Sequence, residues 1–380
     1  MASYRNFPPT PDAERNPTEI AGPESCPPTR PGHRIEPNSK MYVIRFLARG
    51  SFRYAKRCAK NCARMLLGRK PYFAPKDRFF LQYLRHILGI RPITKITCLP
   101  SKFEGAGSQA LYTMVTISFA RACGFTYVHT PFVEIAHADR PMQDWVAAWE
   151  EHFNLGAGEL TTNDDLNQIV NFPDGGADLC ALFGVEDLTR VLEVMRADFR
   201  HKYYLNKSSR HNQLLTVAVH VRRGDVTPMH PPMWTNTAFV AETVAMVRTV
   251  LAARDLRYKI CLFSQGDRAD FAELDAPDTE MFLDHDAIWT MREAIEADVL
   301  IMARSMFSYV AALLSDGIKI CEDGLVPPFG GKGLGTMKMR DWVVRGPSAK
   351  FDFPLFERQL DHLLESRKVQ GKADISRAPV

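Results

Sequence analysis

The sequence predicts an α/β chain carrying two domains on parallel sheets, and three observations lead there. From Ile93 onward, short strand-like runs alternate with longer runs of helical spacing, the pattern of β-α-β units whose strands lie parallel. Leu214-Leu-Thr-Val-Ala-Val-His-Val221 reads as a buried strand that opens a second series of such units, which puts a domain boundary at 205–213. The 380 residues, 46% apolar and 24% charged, are ordinary globular composition and long enough for two domains. Wholesale disorder and fibrous structure are therefore excluded.

Taken in order, residues 1–40 carry Pro at 8, 9, 11, 17, 23, 27, 28, 31 and 37 with few large apolar groups. Such a segment buries too little surface to offset the entropy of ordering, and it reads as a disordered tail. It lacks the form of a signal peptide, and no apolar run approaches the roughly 18 residues of a membrane span, so a cytoplasmic chain is expected.

Between Lys40 and Lys95 stand fifteen Lys/Arg against Asp77 alone. That segment is +14 and residues 1–39 are −1; since the whole chain is +4, the remainder carries −9. A basic extension, 41–92, is thus joined to an acidic body. Within Met41–Leu67, Arg45, Arg49, Arg53, Arg57, Lys60 and Arg64 recur at steps of three or four. On a helix they form one stripe, with Val43, Phe46, Leu47, Tyr54, Cys58, Met65 and Leu66 largely elsewhere. A basic amphipathic helix suits anionic lipid headgroups, making 41–67 a peripheral contact for the inner membrane face. Docking onto the protein's own acidic body is the alternative, and nucleic acid a more remote one. The aromatic stretch Tyr72–Ile90 reads as a second helix tying the extension to the body.

The first domain, 93–210, opens with a strand at Ile93–Leu99, a turn at Glu104–Gln109, a helix over Ala110–Cys123 and a strand at Phe125–His129. The second, 211–350, follows the Leu214 strand with a helix over Thr237–Ala253, a strand at Tyr258–Ser264 and a helix over Asp267–Leu274. Further strands fall at Met281–Leu283, Val299–Met302 and Ile318–Cys321, with helices near Asp286–Ala297 and Phe307–Leu314. Residues 351–380 read as a C-terminal helix and tail, and no internal repeat is visible. Cys26, Cys58, Cys62, Cys98, Cys123, Cys180, Cys261 and Cys321 form no CxxC pairs. They read as reduced core residues, and Cys58 with Cys62 lack the further ligands a zinc site needs.

Parallel α/β sheets take ligands at the C-terminal ends of their strands, and three segments there carry chemistry. His220-Val-Arg222-Arg223-Gly224-Asp225 follows the buried strand directly. Its arginines suit an anion such as a diphosphate: guanidinium forks bind phosphate oxygens in pairs and stabilise charge growing on a leaving group. Adjacent side chains diverge, so one arginine is expected to face the ligand while the other braces the loop with Asp225 as its partner. Arg223-Gly224-Asp225 as an adhesion tripeptide would need an extracellular loop, which nothing supports. The second segment, Phe103-Glu104-Gly105-Ala-Gly107-Ser108-Gln109, offers glycines for close approach and helix N–H groups for a phosphate or sugar hydroxyl. It matches neither the dinucleotide nor the P-loop fingerprint. The third, Arg304-Ser305-Met306-Phe307-Ser308, turns from strand to helix with hydroxyls and N–H groups aimed outward, although Ser305 also suits a plain N-cap. Ser264 and Gln265 add another polar strand end.

These segments, in this order, resemble the GDP-fucose-dependent fucosyltransferases that share an H-x-R-R-G-D motif: the α1,2-, α1,6- and protein O-fucosyltransferases. Gly105-Ala-Gly107-Ser108-Gln109 resembles their G-x-G-N-Q turn with Ser108 in place of Asn. Arg304-Ser-Met-Phe-Ser308 resembles the N-S-S-F-S segment of the α1,2 group, with Arg304 and Met306 as departures. The likeness spans residues 95–325, and the first 90 residues take no part in it. It implies a GT-B-type architecture of two Rossmann-like domains facing a cleft, and an inverting reaction without metal or other cofactor. No DxD-like carboxylate pair stands at a strand end. By position, Arg222 would hold the β-phosphate of GDP-fucose and stabilise departing GDP, and His220 would contact the nucleotide. Ser305, Met306, Phe307 and Ser308 would cap the phosphates. Gly107, Ser108 and Gln109 would close over the donor, with Arg223, Asp225, Ser264 and Gln265 around it and Asp286 reading guanine.

The catalytic base stays open among Glu104, Glu134, His137 and Asp139, all in first-domain loops that an acceptor could approach. Trp145 and Trp149, with Phe153, have core spacing; stacking on an acceptor sugar is the alternative. Gly330–Gly335 reads as a lid or linker, and Asn206-Lys-Ser208 is a lone glycosylation sequon. The expected partners are a nucleotide sugar and a glycan or lipid-linked saccharide acceptor. A transferase for another nucleotide sugar, and a glycan- or nucleotide-binding protein without turnover, remain as alternatives.

Overall fold

The computed structural model describes residue 56, residues 59–61, 63–66, 75–99, 104–161, 169–172, 185–207, 214–229, 233–323, 338–346 and 350–369. The Pro-rich tail, most of 41–67, the Gly330–Gly335 segment, Ser208 of the sequon, and Cys26, Cys58, Cys62 and Cys180 lie outside them. The described residues within 56–66 are helical.

A helix, α1 (Pro75–Ile87), leads into β1 (Lys95–Cys98). The helix expected over Tyr72–Ile90 is described from Pro75 onward, and its first three residues lie outside the described ones. Next come α2 (Ala106–Cys123), β2 (Thr126–His129), α3 (Met142–Phe153), β3 (Leu160–Thr161), β4 (Val170–Phe172) and α4 (Val185–Tyr204). The four strands form a parallel sheet in the order β3-β2-β1-β4. The helix expected from Ala110 starts four residues earlier, so Gly107, Ser108 and Gln109 form its first turn rather than a free loop.

The second sheet is built from β5 (Leu215–His220), α5 (Thr237–Ala253), β6 (Tyr258–Ser264), a short 3₁₀ helix (Arg268–Leu274), β7 (Thr279–Leu283) and α6 (Ala287–Glu296). It continues through β8 (Val299–Ile301), α7 (Met306–Leu314), β9 (Ile318–Glu322), β10 (Val343–Arg345) and α8 (Phe353–Val369). The regular helix expected over Asp267–Leu274 is instead this 3₁₀ piece, kinked at Phe271. All six strands run parallel in the order β10-β9-β8-β5-β6-β7. This is the doubly wound order: the chain builds outward from β5 to β7, then returns to the other side of β5 to add β8, β9 and β10. The crevice between β5 and β8 is the topological switch point, where such sheets bind ligands.

Two apolar clusters hold the chain together. One backs the second sheet: Val217, Val219, Leu262, Val244 and Leu251 are almost fully buried, and Phe356 and Leu360 of α8 close its side. Asp298, itself buried, accepts from the Thr216 N–H and from Arg367 of α8, which fixes that helix on the sheet. The other cluster joins the first sheet to the second through α7, which is apolar on nearly every face and buried at every position but the half-buried Phe307, as a helix surrounded by others must be. Trp145 and Trp149, 2% and 1% exposed, belong to this core. Cys98, Cys261 and Cys321 are buried, Cys123 is half-buried, and all four carry thiols. Ion pairs add to the join, since Arg196 of α4 meets Asp341 at 2.8 Å, Arg200 meets Asp316, and Glu193 accepts from the Arg340 N–H.

Candidate active site

β5 delivers His220 to the switch point, and α7 delivers Ser308 to the same place from across it. His220 Nδ1 and Ser308 Oγ lie 2.5 Å apart, and Ser308 Oγ also accepts from the Ala303 N–H at 3.1 Å. Burial, helped by nearby Arg222, pushes the His220 pKa down to about 4, so the ring is neutral at physiological pH. With Ser308 donating to Nδ1, that neutral ring carries its proton on Nε2 and presents a donor. The Phe307 ring stands 5.1 Å from the imidazole.

The two arginines divide their tasks. Arg223 Nη1 donates to the carbonyls of Arg222 and Thr235, its Nη2 donates to Thr237 Oγ1, and its guanidinium lies 3.7 Å over the Trp234 ring. It braces the loop. Asp225, expected to pair with that bracing arginine, pairs with Arg222 instead: Nε donates to Oδ1 at 3.1 Å and Nη2 to Oδ2 at 2.6 Å. The reason is local. Trp234 and the 235–237 backbone already occupy Arg223, and the chain reversal at Gly224 swings Asp225 toward the i−3 side chain. Burial pushes the Asp225 carboxyl up, but Arg222 outweighs it and the net pKa lies below the ordinary carboxylate range. Gly224 has φ +80°, and the Gln265 side chain lies where a Cβ would be, so glycine is required on both counts. Ser264 Oγ donates to the Val221 carbonyl at 2.7 Å, tying the end of β6 to the motif.

The first turns of α2 and α7 meet here. A Cβ on Gly107 would stand 2.8 Å from the Phe307 backbone nitrogen. Neither helix has an acid in its first turn, α2 has no side-chain cap, and Ser305 Oγ caps α7 by accepting from the Phe307 N–H at 3.2 Å. Two helix N-termini without acids in their first turns therefore bring partial positive charge beside His220, an arrangement that favours an anion. Arg304 makes a two-pronged pair with Glu322 at the end of β9.

The remaining candidates take varied places. Gln109 is 1% exposed, and its Nε2 donates to the Glu104 and Glu134 carbonyls at 2.8 Å each. It fastens two loops that contribute backbone oxygen here. His137 adopts φ +62°, a left-handed conformation that costs a non-glycine residue energy. It is 68% exposed, and its Nε2 lies 3.8 Å from Asp225 Oδ2 across the cleft. Asp139 pairs with Arg140, which also pairs with Asp286 and covers the Trp145 ring at 5.1 Å. Asp286 caps α6 by accepting from the Trp289 N–H at 2.7 Å, so both of its oxygens are engaged. His220, Arg222, Asp225, His137, Gly107, Phe307 and Ser308 thus form one contiguous group, whereas Asp139 and Asp286 form a separate bridge. Sequence reading missed Arg140, Trp234 and Glu322. Only Glu322 carried a signal, as an acid at a strand end.

No protein-family model matches the sequence, and no curated protein matches it. Solved structures similar to the chain include fucosyltransferase NodZ from Bradyrhizobium, at 15% identity and a TM-score of 0.31 over 58% of this chain and 94% of that one. Another is the E. coli heptosyltransferase WaaC with ADP, at 12% identity and a TM-score of 0.34 over 74% of this chain and 100% of that one.

Proposed function

We propose that the chain is an inverting glycosyltransferase that moves fucose from GDP-fucose to a glycan or lipid-linked saccharide. One observation carries the reading: His220-Val-Arg222-Arg223-Gly224-Asp225, the segment that resembles the fucosyltransferase motif, stands at the C-terminal end of β5, at the switch point, facing the first turn of α7. In this reading the diphosphate of the donor sits against the N-terminal N–H groups of α7. Arg222, held by Asp225, neutralises the charge that develops as the bond from sugar C1 to phosphate oxygen breaks. His220, kept neutral, gives a hydrogen bond from Nε2 without adding charge. An acceptor hydroxyl forms the new bond to C1 from the opposite face. Its proton passes to His137, whose Nε2 lies 3.8 Å from Asp225 Oδ2. The positive charge comes from Arg222 and the helix ends, and no metal takes part.

Thermal stability of the purified protein with GDP, UDP, ADP and GDP-fucose tests the reading. A ligand that binds only the native state, at 100 times its Kd, adds about 2.7 kcal/mol. Stabilisation confined to the guanine nucleotides, and lost in Arg222→Ala, supports the donor site. Stabilisation by UDP or ADP alone would replace the donor, and no response to any nucleotide would overturn the transferase reading.

A further inference from the structure

The end of α1 carries an apolar surface that the catalytic reading leaves unexplained. The helix closes with a left-handed turn at Gly89, φ +70°. The Gly89 N–H bonds to the His86 carbonyl at 3.0 Å and the Ile90 N–H to the Arg85 carbonyl at 2.9 Å, the paired bonds of a Schellman stop. In that motif the apolar residue after the glycine ordinarily packs on an apolar residue at the position of Arg85. Here that position is an arginine, and Ile90 is 69% exposed, beside Leu88 at 62% and Ile87 at 37%. The knuckle is not a frayed end. Phe79, Phe80 and Tyr83 on the inner side of α1 are buried, and His86 Nδ1 accepts from the N–H of buried Ile93 at 3.0 Å.

The surroundings identify the partner. Arg85 and Arg91 flank the knuckle and are exposed. They belong to the 40–95 segment, whose fifteen basic residues face a single acid. Met65 and Leu66, in the same segment, are 52% and 88% exposed. Aliphatic groups held rigidly among cations fit an anionic bilayer, where the aliphatics enter the acyl boundary and the guanidinium groups meet phosphates. A nucleic-acid surface would instead present aromatics for stacking. Among the described residues no helix is long and apolar enough to cross a membrane, so the contact would be interfacial.

We infer that Ile87, Leu88 and Ile90 form a membrane-insertion knuckle that seats the protein on anionic lipid, independently of which nucleotide sugar it uses. The test is co-sedimentation of the full-length chain with vesicles of phosphatidylcholine alone or with about one-third phosphatidylglycerol. Wild type is expected to partition onto the anionic vesicles. Leu88→Ser with Ile90→Ser should weaken that partitioning about tenfold or more, as removal of two inserted aliphatics requires. Arg85→Gln with Arg91→Gln should erase much of the preference for anionic lipid. Leu88→Trp should shift its fluorescence to the blue on anionic vesicles only, which keeps the test decisive if the serine variant melts early. Val194→Ser, at an apolar site 53% exposed on α4, should bind as wild type does. Absence of vesicle binding, full binding by the serine variant, an equal loss in Val194→Ser, or displacement of the vesicles by duplex DNA would each overturn the inference.

Discussion

Gly107 and Phe307 face each other so closely that the missing side chain of the first is what allows the backbone of the second to stand there. A Cβ at 107 would lie 2.8 Å from Phe307 N and 2.9 Å from its Cα. Backbone cannot rotate away as a flexible side chain does, so one first turn or the other must shift. Gly107→Ala is therefore expected to cost about 1–3 kcal/mol, read as a lowered urea midpoint. It should also weaken stabilisation by GDP, because the displaced turn of α7 is the one proposed to meet the phosphates.

Arg222 and Arg223, adjacent in sequence, should give opposite phenotypes. Arg222→Ala leaves the melting temperature near wild type and abolishes stabilisation by GDP. Arg223→Ala lowers stability by about 2 kcal/mol through lost hydrogen bonds and the lost Trp234 stack. Parallel melting curves with and without GDP separate the two, and a matched loss in both variants would contradict the division of labour.

Acid should destabilise the fold through two neutral imidazoles. Burial holds His152 down to about 3 and His220 to about 4, below the ordinary histidine value near 6.5. The unfolded chain therefore binds more protons than the folded one below about pH 6.5. Stability should fall as pH drops from there toward 4, by up to about 1.4 kcal/mol per pH unit for each histidine. His152 is 5% exposed and its Nε2 has no hydrogen-bond partner, so His152→Phe should roughly halve the slope. Urea unfolding across that range measures it, and an unchanged slope would show that His152 is charged or exposed in the native state.

His137→Gln keeps a polar group near Asp225 but cannot take up a proton. Transfer to acceptor should fall about 10²–10⁴-fold, with GDP stabilisation unchanged. A variant that transfers at the wild-type rate removes His137 as the base.

Five strands of the second sheet were readable because they are short apolar runs set off by helical or turn segments, so local pattern and tertiary role agree; β10, three residues beyond the Gly-rich segment, was not. β3 and β4, of two and three residues, were not: pairing alone makes them strands, and pairing leaves no periodicity in so short a run. The first turn of α2 was misplaced for a related reason. Two glycines within three residues signal a turn locally, whereas here Gly107 permits contact with a helix some 200 positions away, which no local rule can detect. The arginines of the motif stood out in the sequence, but the different partners they take depended on Trp234 and on the reversal at Gly224. The Asp139–Arg140–Asp286 bridge arises only once the two sheets are side by side.

The burial of nearly all of α7 has a thermodynamic consequence. Its apolar side chains belong to the same continuous core as those of α2, α3 and α4, so neither Rossmann-like half keeps a complete interior if the other melts. Heating should therefore produce one cooperative transition whose calorimetric and van't Hoff enthalpies agree. The two halves would thus behave as one folding unit, and a truncation that removes either would yield an unstable remnant.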